Sequence, residues 1–151
     1  MRLLTFVSGI FFAVCCYAQL SNAELAELYS KDVKESVENM KNGAEVWNQG
    51  AEPFSQFIEK FSTDEEFCNS RIKLTAAQRA EYKSVLAPSN FVAKLPYEPN
   101  PGDGLYYQQW GEMQRNTVYL DCGWVESYYT HTFEFKRIGG KWVLAKIVPG
   151  E

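Results

Sequence analysis

The sequence predicts an α+β domain in which N-terminal helices pack on a bent antiparallel sheet, and two observations carry this prediction. Between Leu25 and Phe61 apolar residues recur every three to four positions, which is the spacing of one face of a helix. From Leu105 onward the chain is rich in Tyr, Phe, Trp, Val and Thr and the apolar spacing changes to two, which is typical of half-buried strands. Helices followed by strands indicate the α+β class.

The first 18 residues precede this domain and have the composition of an export signal. A single cation is followed by an apolar run from Leu3 to Val14, and Cys16 and Ala18 supply the small side chains that signal peptidase selects. The run is too short to span a bilayer, which takes about 20 residues. We therefore expect residues 1–18 to be cleaved and the remainder to be exported, periplasmic or secreted. Lipid attachment at Cys15 or Cys16 is the alternative.

The remaining chain is expected to form one domain, with an N-terminal helix and linker over residues 19–52 and an α+β body over residues 53–151. Ser21 and Glu24 form a capping box at the start of the first helix, and Gly43 ends it. The apolar face of this helix is made of Leu25, Leu28, Tyr29, Val33, Val37 and Met40.

A second helix is predicted to begin at Pro53, whose missing N–H costs nothing in a first turn. Its apolar face carries Phe54, Phe57, Ile58 and Phe61. Ser62 is expected to cap the acidic turn that precedes Cys68. A third helix is predicted over residues 75–86, and the prolines and glycines of residues 87–104 indicate a loop.

Four strands are predicted in the C-terminal half: Leu105 to Trp110, Thr117 to Cys122, Trp124 to Ile138, and Lys141 to Val148. Gly139 and Gly140 suit a two-residue hairpin turn because glycine readily takes positive φ angles. Counting back from this turn pairs Phe135 with Leu144 and Phe133 with Lys146. It also brings His131 close to Val148.

Cys68 and Cys122 are the only cysteines outside the predicted signal. In an oxidising compartment such a pair most simply forms a disulfide. It would close a loop of about 55 residues and contribute roughly 4 kcal/mol in the chain-entropy model. The alternative is two free, buried thiols.

Charge and motifs exclude several classes of function. The chain has 15 basic and 19 acidic residues, and a net charge of −4 argues against nucleic-acid binding, which depends on clustered Lys and Arg. Two cysteines and one histidine lack the spacing of metal ligands, so no metal is predicted. No cofactor is predicted either, because the sequence has no nucleotide-binding glycine motif.

Two segments carry a resemblance to a known family. PFSQFIEKFSTDEEFCNSRIKL, residues 53–74, and TFEFKRIGGKWVLAKI, residues 132–147, resemble exported bacterial proteins of unknown function with the nuclear transport factor 2-like, cystatin-like cone fold. That resemblance implies a curved antiparallel sheet that wraps helices around a cone-shaped cavity. It also implies that a catalytic member would place an acid/base Asp or His in the cone beside Tyr or Asp donors.

Three functions are consistent with these features. The first is a non-catalytic binding module for a small apolar or aromatic ligand, or a protein partner, in or near the cavity. The second is a cyclase-like or isomerase-like enzyme with His131 as general base and Tyr129 or Asp121 as helper. The third is an interaction protein that dimerises through an open sheet face. The candidate ligand-binding residues are Trp110, Tyr119, Tyr129, His131 and Phe133.

Overall fold

The computed structural model describes residues 20–43 and 45–150. The predicted signal peptide, with Cys15 and Cys16, lies outside the described residues. The helices are α1 (Asn22–Glu38), continued by a π-helical turn (Asn39–Gly43), α2 (Glu45–Asn48), α3 (Phe54–Phe61), α4 (Glu65–Arg71) and α5 (Ala76–Glu81), with 3₁₀ turns at Lys83–Val85 and Pro88–Asn90. The strands are β1 (Lys94–Tyr97), β2 (Tyr106–Trp110), β3 (Thr117–Trp124), β4 (Tyr129–Ile138) and β5 (Lys141–Pro149). None of the described helices is both long and apolar enough to cross a membrane.

The five strands form one antiparallel sheet in the order β1-β2-β3-β4-β5. Each strand pairs with its neighbours in sequence, so the connections are simple hairpins. The predicted α+β class, with helices before an antiparallel sheet, is confirmed.

Helix α1 begins as predicted. The Ser21 hydroxyl accepts a hydrogen bond from the Glu24 backbone N–H, and the Glu24 carboxylate accepts one from the Ser21 N–H at 2.8 Å. The helix lies against β1 and β2, where the Ser36 hydroxyl accepts a bond from the Trp110 N–H at 3.3 Å. Leu28 was expected on its buried face but is 51% exposed.

Helix α3 supplies the centre of the core. All four residues of its predicted apolar face are buried. The Phe54 ring packs against Trp142 of β5 and Phe135 of β4, with centroids 4.9 and 5.8 Å apart. Truncating a phenylalanine in such a place typically lowers the free energy of unfolding by about 3–5 kcal/mol. The contacts of Phe54 with both strands therefore make α3 an important support of the inner face of the sheet.

A cluster around Glu52, formed by Glu52, Arg71 and Trp142, joins the helices to β5. Two nitrogens of Arg71 donate to the two oxygens of the Glu52 carboxylate at 2.7 and 3.0 Å. The Trp142 backbone N–H donates to the same carboxylate, and its indole N–H donates to the Glu52 carbonyl oxygen at 3.1 Å. The Glu52 carboxylate, the terminal nitrogens of Arg71 and both N–H groups of Trp142 therefore have partners.

The hairpin β4–β5 turns where predicted, but its register changes along its length. Gly139 and Gly140 have φ of 58° and 78°, and Phe135 pairs with Leu144 as expected. A bulge at Ala145 then shifts the pairing, so that Phe133 lies opposite Ile147 and not Lys146. The extra residue turns Ile147 into the core and leaves Lys146 in solvent.

The same shift places His131 opposite Pro149, one residue beyond the predicted Val148. A second bulge lies in the pairing of β3 with β4. Cys122 pairs with His131 and Gly123 pairs with Tyr129, which leaves Thr130 as the unpaired extra residue.

Two local predictions were wrong. Asp64, not Ser62, caps α4, because its carboxylate accepts the Phe67 N–H at 2.9 Å. The predicted strand from Trp124 to Ile138 is interrupted by the turn at residues 125–128. Residues 87–104 are mostly loop, as predicted, and also contain β1, which pairs with β2 despite the proline inside it.

The predicted disulfide is not formed, because Cys68 and Cys122 are both free and buried. Cys68 lies on α4, which packs against β5, whereas Cys122 lies on β3 with β4 in between. Two strand spacings are about 9.6 Å, and cysteines whose Cα atoms are more than about 7 Å apart are not bridged without backbone movement. The pattern of cysteines alone carries no such spatial information.

Candidate ligand-binding site

A pocket of about 240 Å³ lies between the inner face of the sheet and the segment that leads into β1. Its walls are Ser84, Val85, Asn90, Lys94, Tyr97, Tyr106, Gln108, His131 and Phe133. These residues combine aromatic rings, two amides, one histidine and one cation, and no acidic side chain is among them.

The register of the sheet brings the polar residues of the pocket together. Gln108 of β2 pairs with Cys122 of β3, and Cys122 pairs with His131 of β4. Directly paired residues project from the same face of a sheet. The three side chains therefore form one row across the buried face, on which Gln108 is only 3% exposed.

A hydrogen-bond network orients His131. The Thr130 hydroxyl donates to the Cys122 carbonyl oxygen at 2.9 Å and lies 3.1 Å from His131 Nδ1 and 3.4 Å from the Tyr106 hydroxyl. A threonine hydroxyl has one proton, and it is directed at the Cys122 carbonyl oxygen. The His131 tautomer consistent with this arrangement donates from Nδ1 to Thr130 Oγ1 and leaves Nε2 of the neutral imidazole as an acceptor.

Burial keeps both titratable groups of this network uncharged near neutral pH. Loss of solvent lowers the pKa of His131 below its ordinary value of 6.5. Burial also raises the pKa of Tyr106 to about 12. The network thus presents a neutral base and a neutral phenol to the pocket.

Gln108 has one satisfied end and one unsatisfied end. Its Nε2 donates to the Asn90 carbonyl oxygen at 3.0 Å and to the Cys122 sulfur at 3.1 Å. Its Oε1 is buried and has no hydrogen-bond partner among the described residues. Leaving such an acceptor unpaired costs about 1–3 kcal/mol, and the atom is too enclosed to be reached from the pocket without movement of the Gln108 side chain.

Lys94 places a positive charge beside Gln108, with which it pairs across β1 and β2. Its ammonium group donates to the Asn90 side-chain oxygen at 3.3 Å. The two ion pairs found in the described part of the chain, Arg71 with Glu52 and Lys136 with Glu134, do not include it.

The structure brings two of the five predicted ligand residues into this pocket, His131 and Phe133. Trp110 is buried and borders a separate groove. Tyr119 lies on the outer face of the sheet, because it alternates with the inward-facing Leu120 and pairs with Glu134. Tyr129 is 41% exposed, since the extra residue at Thr130 turns it away from the pocket.

Asp121 is also separated from His131. It pairs with Thr132, whose hydroxyl donates to its carboxylate at 2.7 Å, on the face opposite Cys122. Burial raises the pKa of Asp121, but this carboxyl group does not reach the pocket. The predicted catalytic grouping of His131 with Asp121 or Tyr129 is therefore not assembled.

Sequence reasoning missed Asn90, Lys94 and Gln108. Asn90 and Lys94 belong to the segment that the sequence indicates to be a loop. Gln108 carried a usable signal, because it stands at an inward position of β2, two residues from the buried Trp110. An amide at an inward strand position needs buried partners, and that requirement points to a polar site.

The second groove measures about 550 Å³ and lies between α1 with its π-helical turn and α3. It is lined mainly by apolar side chains, among them Val37, Met40, Ile58, Phe91 and Trp110. Five of its twelve lining residues are polar, and three of these, Lys41, Gln56 and Glu59, are exposed at the surface of the helices. It lacks the converging polar groups of the His131 pocket.

Comparisons with protein-family models, with curated proteins and with solved structures found no match to this chain. The resemblance to the nuclear transport factor 2-like family accordingly stays a prediction from the two segments that carry it.

Proposed function

We propose that the chain is an exported, non-catalytic binding module of nuclear transport factor 2-like architecture that holds a small aromatic ligand in the pocket beside His131. Ligand sites are typically concave and largely apolar, with a few converging polar groups that fix orientation. The His131 pocket has this composition. The observation that carries the proposal is the row of buried polar side chains, Gln108 and His131, at the wall of a cavity.

The size of the pocket restricts the ligand. Its volume of about 240 Å³ is below the 300–1,000 Å³ that is common for drug-sized ligands. Tyr97, Tyr106 and Phe133 supply aromatic walls, and aromatic pairs are worth about 0.5–1.5 kcal/mol beyond the area they bury. A ligand with a single ring fits both properties.

The proposal is tested by NMR titration of the protein from residue 19 onward with a set of single-ring aromatic compounds. We expect amide shifts to cluster at Gln108, His131 and Phe133. Val85→Phe narrows the pocket and should abolish these shifts. Val92→Phe makes the same substitution in the second groove and should preserve them. The absence of shifts at the pocket, or equal shifts in both variants, would overturn the proposal.

An enzyme remains the second candidate because the Thr130 network leaves His131 Nε2 free, which is how a general base is presented. A base in this position would exchange an acidic C–H proton of a bound carbonyl compound with solvent. If the native protein causes this C–H proton signal to disappear in ²H₂O, and His131→Asn still binds the compound but leaves the signal in place, the enzyme is favoured. Retention of the signal favours the binding module.

The dimer hypothesis has less support. The outer face of β3 and β4 carries Tyr119, Asp121, Thr132, Glu134 and Lys136, which are mostly polar or charged. An apolar patch large enough for stable association usually exceeds several hundred Å², and these residues do not make one.

A further inference from the structure

The charge of the pocket points to the charge of its ligand. Lys94 has an amide oxygen as partner and no carboxylate, and none of the other residues that line the pocket is acidic. His131 is neutral because burial lowers its pKa. The pocket therefore has one uncompensated positive charge in a chain whose net charge is −4, and a single anionic group would balance it.

The His131 end of the pocket offers a hydrogen-bond acceptor. The Thr130 proton is directed at the Cys122 carbonyl oxygen, so the His131 tautomer consistent with the network donates from Nδ1 to Thr130 and leaves Nε2 as an acceptor. A second anionic group beside Nε2 would meet this acceptor, so a hydroxyl or amino group is favoured in its place.

The spacing of the strands separates these two requirements. Lys94 is on β1 and His131 is on β4, three strand spacings apart, or about 14 Å at the backbone. The long side chain of Lys94 shortens this distance but leaves the two groups on opposite sides of the pocket. Tyr97 lies on the same strand as Lys94, Phe133 lies on the same strand as His131, and together with Tyr106 of β2 they supply the aromatic walls of the pocket.

Resting on the proposed function, we infer that the ligand is a one-ring aromatic monocarboxylate with a hydroxyl or amino group at the far end of the ring. Its carboxylate binds Lys94 and its donor binds His131 Nε2. Charge, hydrogen bonding and size all lead to this class, and the opposed positions of Lys94 and His131 favour a para arrangement of the two groups.

Four small compounds test this inference by isothermal titration calorimetry. The first is 4-hydroxybenzoate, which has both groups in the expected places. The others are 4-hydroxybenzamide, which lacks the charge, benzoate, which lacks the donor, and 2-hydroxybenzoate, which has both groups on one side. We expect 4-hydroxybenzoate to bind about tenfold more tightly than each of the others, because a charge-assisted hydrogen bond is roughly twice as strong as a neutral one.

Two variants assign the contacts. Lys94→Met keeps the length of the side chain. It should reduce the ratio of the affinities for 4-hydroxybenzoate and 4-hydroxybenzamide to near one, without weakening the binding of 4-hydroxybenzamide. Lys41→Met, in the second groove, is the matched control and should leave the ratio unchanged. His131→Phe should remove the advantage of 4-hydroxybenzoate over benzoate, provided that circular dichroism shows a folded protein.

The outcomes separate the two proposals. If 4-hydroxybenzamide binds as tightly as 4-hydroxybenzoate, and Val85→Phe abolishes both, the anionic ligand class is wrong while the binding module stands. If 2-hydroxybenzoate binds best, the opposed arrangement is wrong. If none of the four compounds binds, the ligand class is wrong, and the NMR titration with the wider set of single-ring aromatic compounds decides whether the binding module stands.

Discussion

Two buried polar clusters stand near opposite ends of β4, and they differ in how completely their groups are partnered. The Glu52 cluster lies by Arg137, and the pocket lies by His131, six residues or about 20 Å away along the strand. In the first, the Glu52 carboxylate, the terminal nitrogens of Arg71 and the Trp142 indole all have partners, while Nε of the adjacent Arg137 is buried without one among the described residues. In the second, Gln108 Oε1 and His131 Nε2 have no partner in the described part of the chain. The contrast separates polar groups that stabilise the fold from polar groups that are available to a ligand.

The largest expected effect is at the Glu52 cluster. Glu52→Gln removes the anion that pairs with Arg71 and should lower the free energy of unfolding by about 2–3 kcal/mol, because a largely buried charge loses its partner. Urea denaturation measures this. Glu66→Gln, at an exposed position of α4, is the control and should change stability by less than about 0.5 kcal/mol. Equal effects of the two substitutions would remove the distinction between the clusters.

The clusters should also respond to acid at different pH values. Burial lowers the pKa of His131 in the folded protein, so the unfolded chain binds a proton at this imidazole more readily. The free energy of unfolding should therefore fall as the pH drops below about 6.5. Burial raises the pKa of Glu52, but hydrogen bonds from Arg71 and the Trp142 N–H outweigh it and hold the pKa below its ordinary value of 4.5. A second loss of stability should therefore begin below pH 4.5.

Melting temperatures between pH 7.5 and 3.5 reveal whether these two stages exist. His131→Asn keeps a donor for Thr130 but does not titrate, so it should remove the upper stage and keep the lower one. A single transition that is unchanged in this variant would show that His131 does not contribute.

A smaller effect is expected when the pocket loses its unpaired acceptor. Gln108→Met gives up the hydrogen bonds to the Asn90 carbonyl oxygen and the Cys122 sulfur, but it also removes the buried Oε1. These changes oppose each other, so the free energy of unfolding should change by no more than about 1 kcal/mol. A loss as large as that of Glu52→Gln, by the same urea denaturation, would mean that Gln108 is a structural residue.

The smallest expected effect is that of a reductant. Cys68 and Cys122 are free, so dithiothreitol should leave the melting temperature unchanged. Burial raises the pKa of each thiol to about 11, and neither should react with Ellman's reagent until the protein unfolds. A drop in stability near 4 kcal/mol on reduction would instead restore the predicted disulfide.

The parts of the fold that follow local rules could be predicted from the sequence. The capping box at Ser21, the buried face of α3 and the turn at Gly139 depend on residues within a few positions of each other. The bulges at Thr130 and Ala145 depend on packing across strands, and no residue type at these positions predicts an extra residue in the strand. Each bulge changed which side chains face inward, which is why Tyr129 was expected in the pocket and lies outside it.

The candidate site was predictable only in part for the same reason. His131 could be singled out as the one histidine on an apolar strand face. Asn90 and Lys94 acquire their roles through contacts with Gln108, which is more than a dozen residues away along the chain. Such pairings are set by the assembled sheet and have no local signature.

The bulge at Thr130 has a consequence for how the hairpin of β3 and β4 tolerates insertions and deletions. Thr130 has no partner on β3, so deleting it would restore a regular ladder there and leave Cys122 opposite His131 and Gly123 opposite Tyr129. The fold would lose the hydrogen bond from the Gly150 N–H to the Thr130 carbonyl oxygen, and the hydroxyl that fixes the protonated nitrogen of His131 would be gone. Among related sequences, a one-residue gap at this position would mark chains that keep the architecture and have lost this pocket's chemistry.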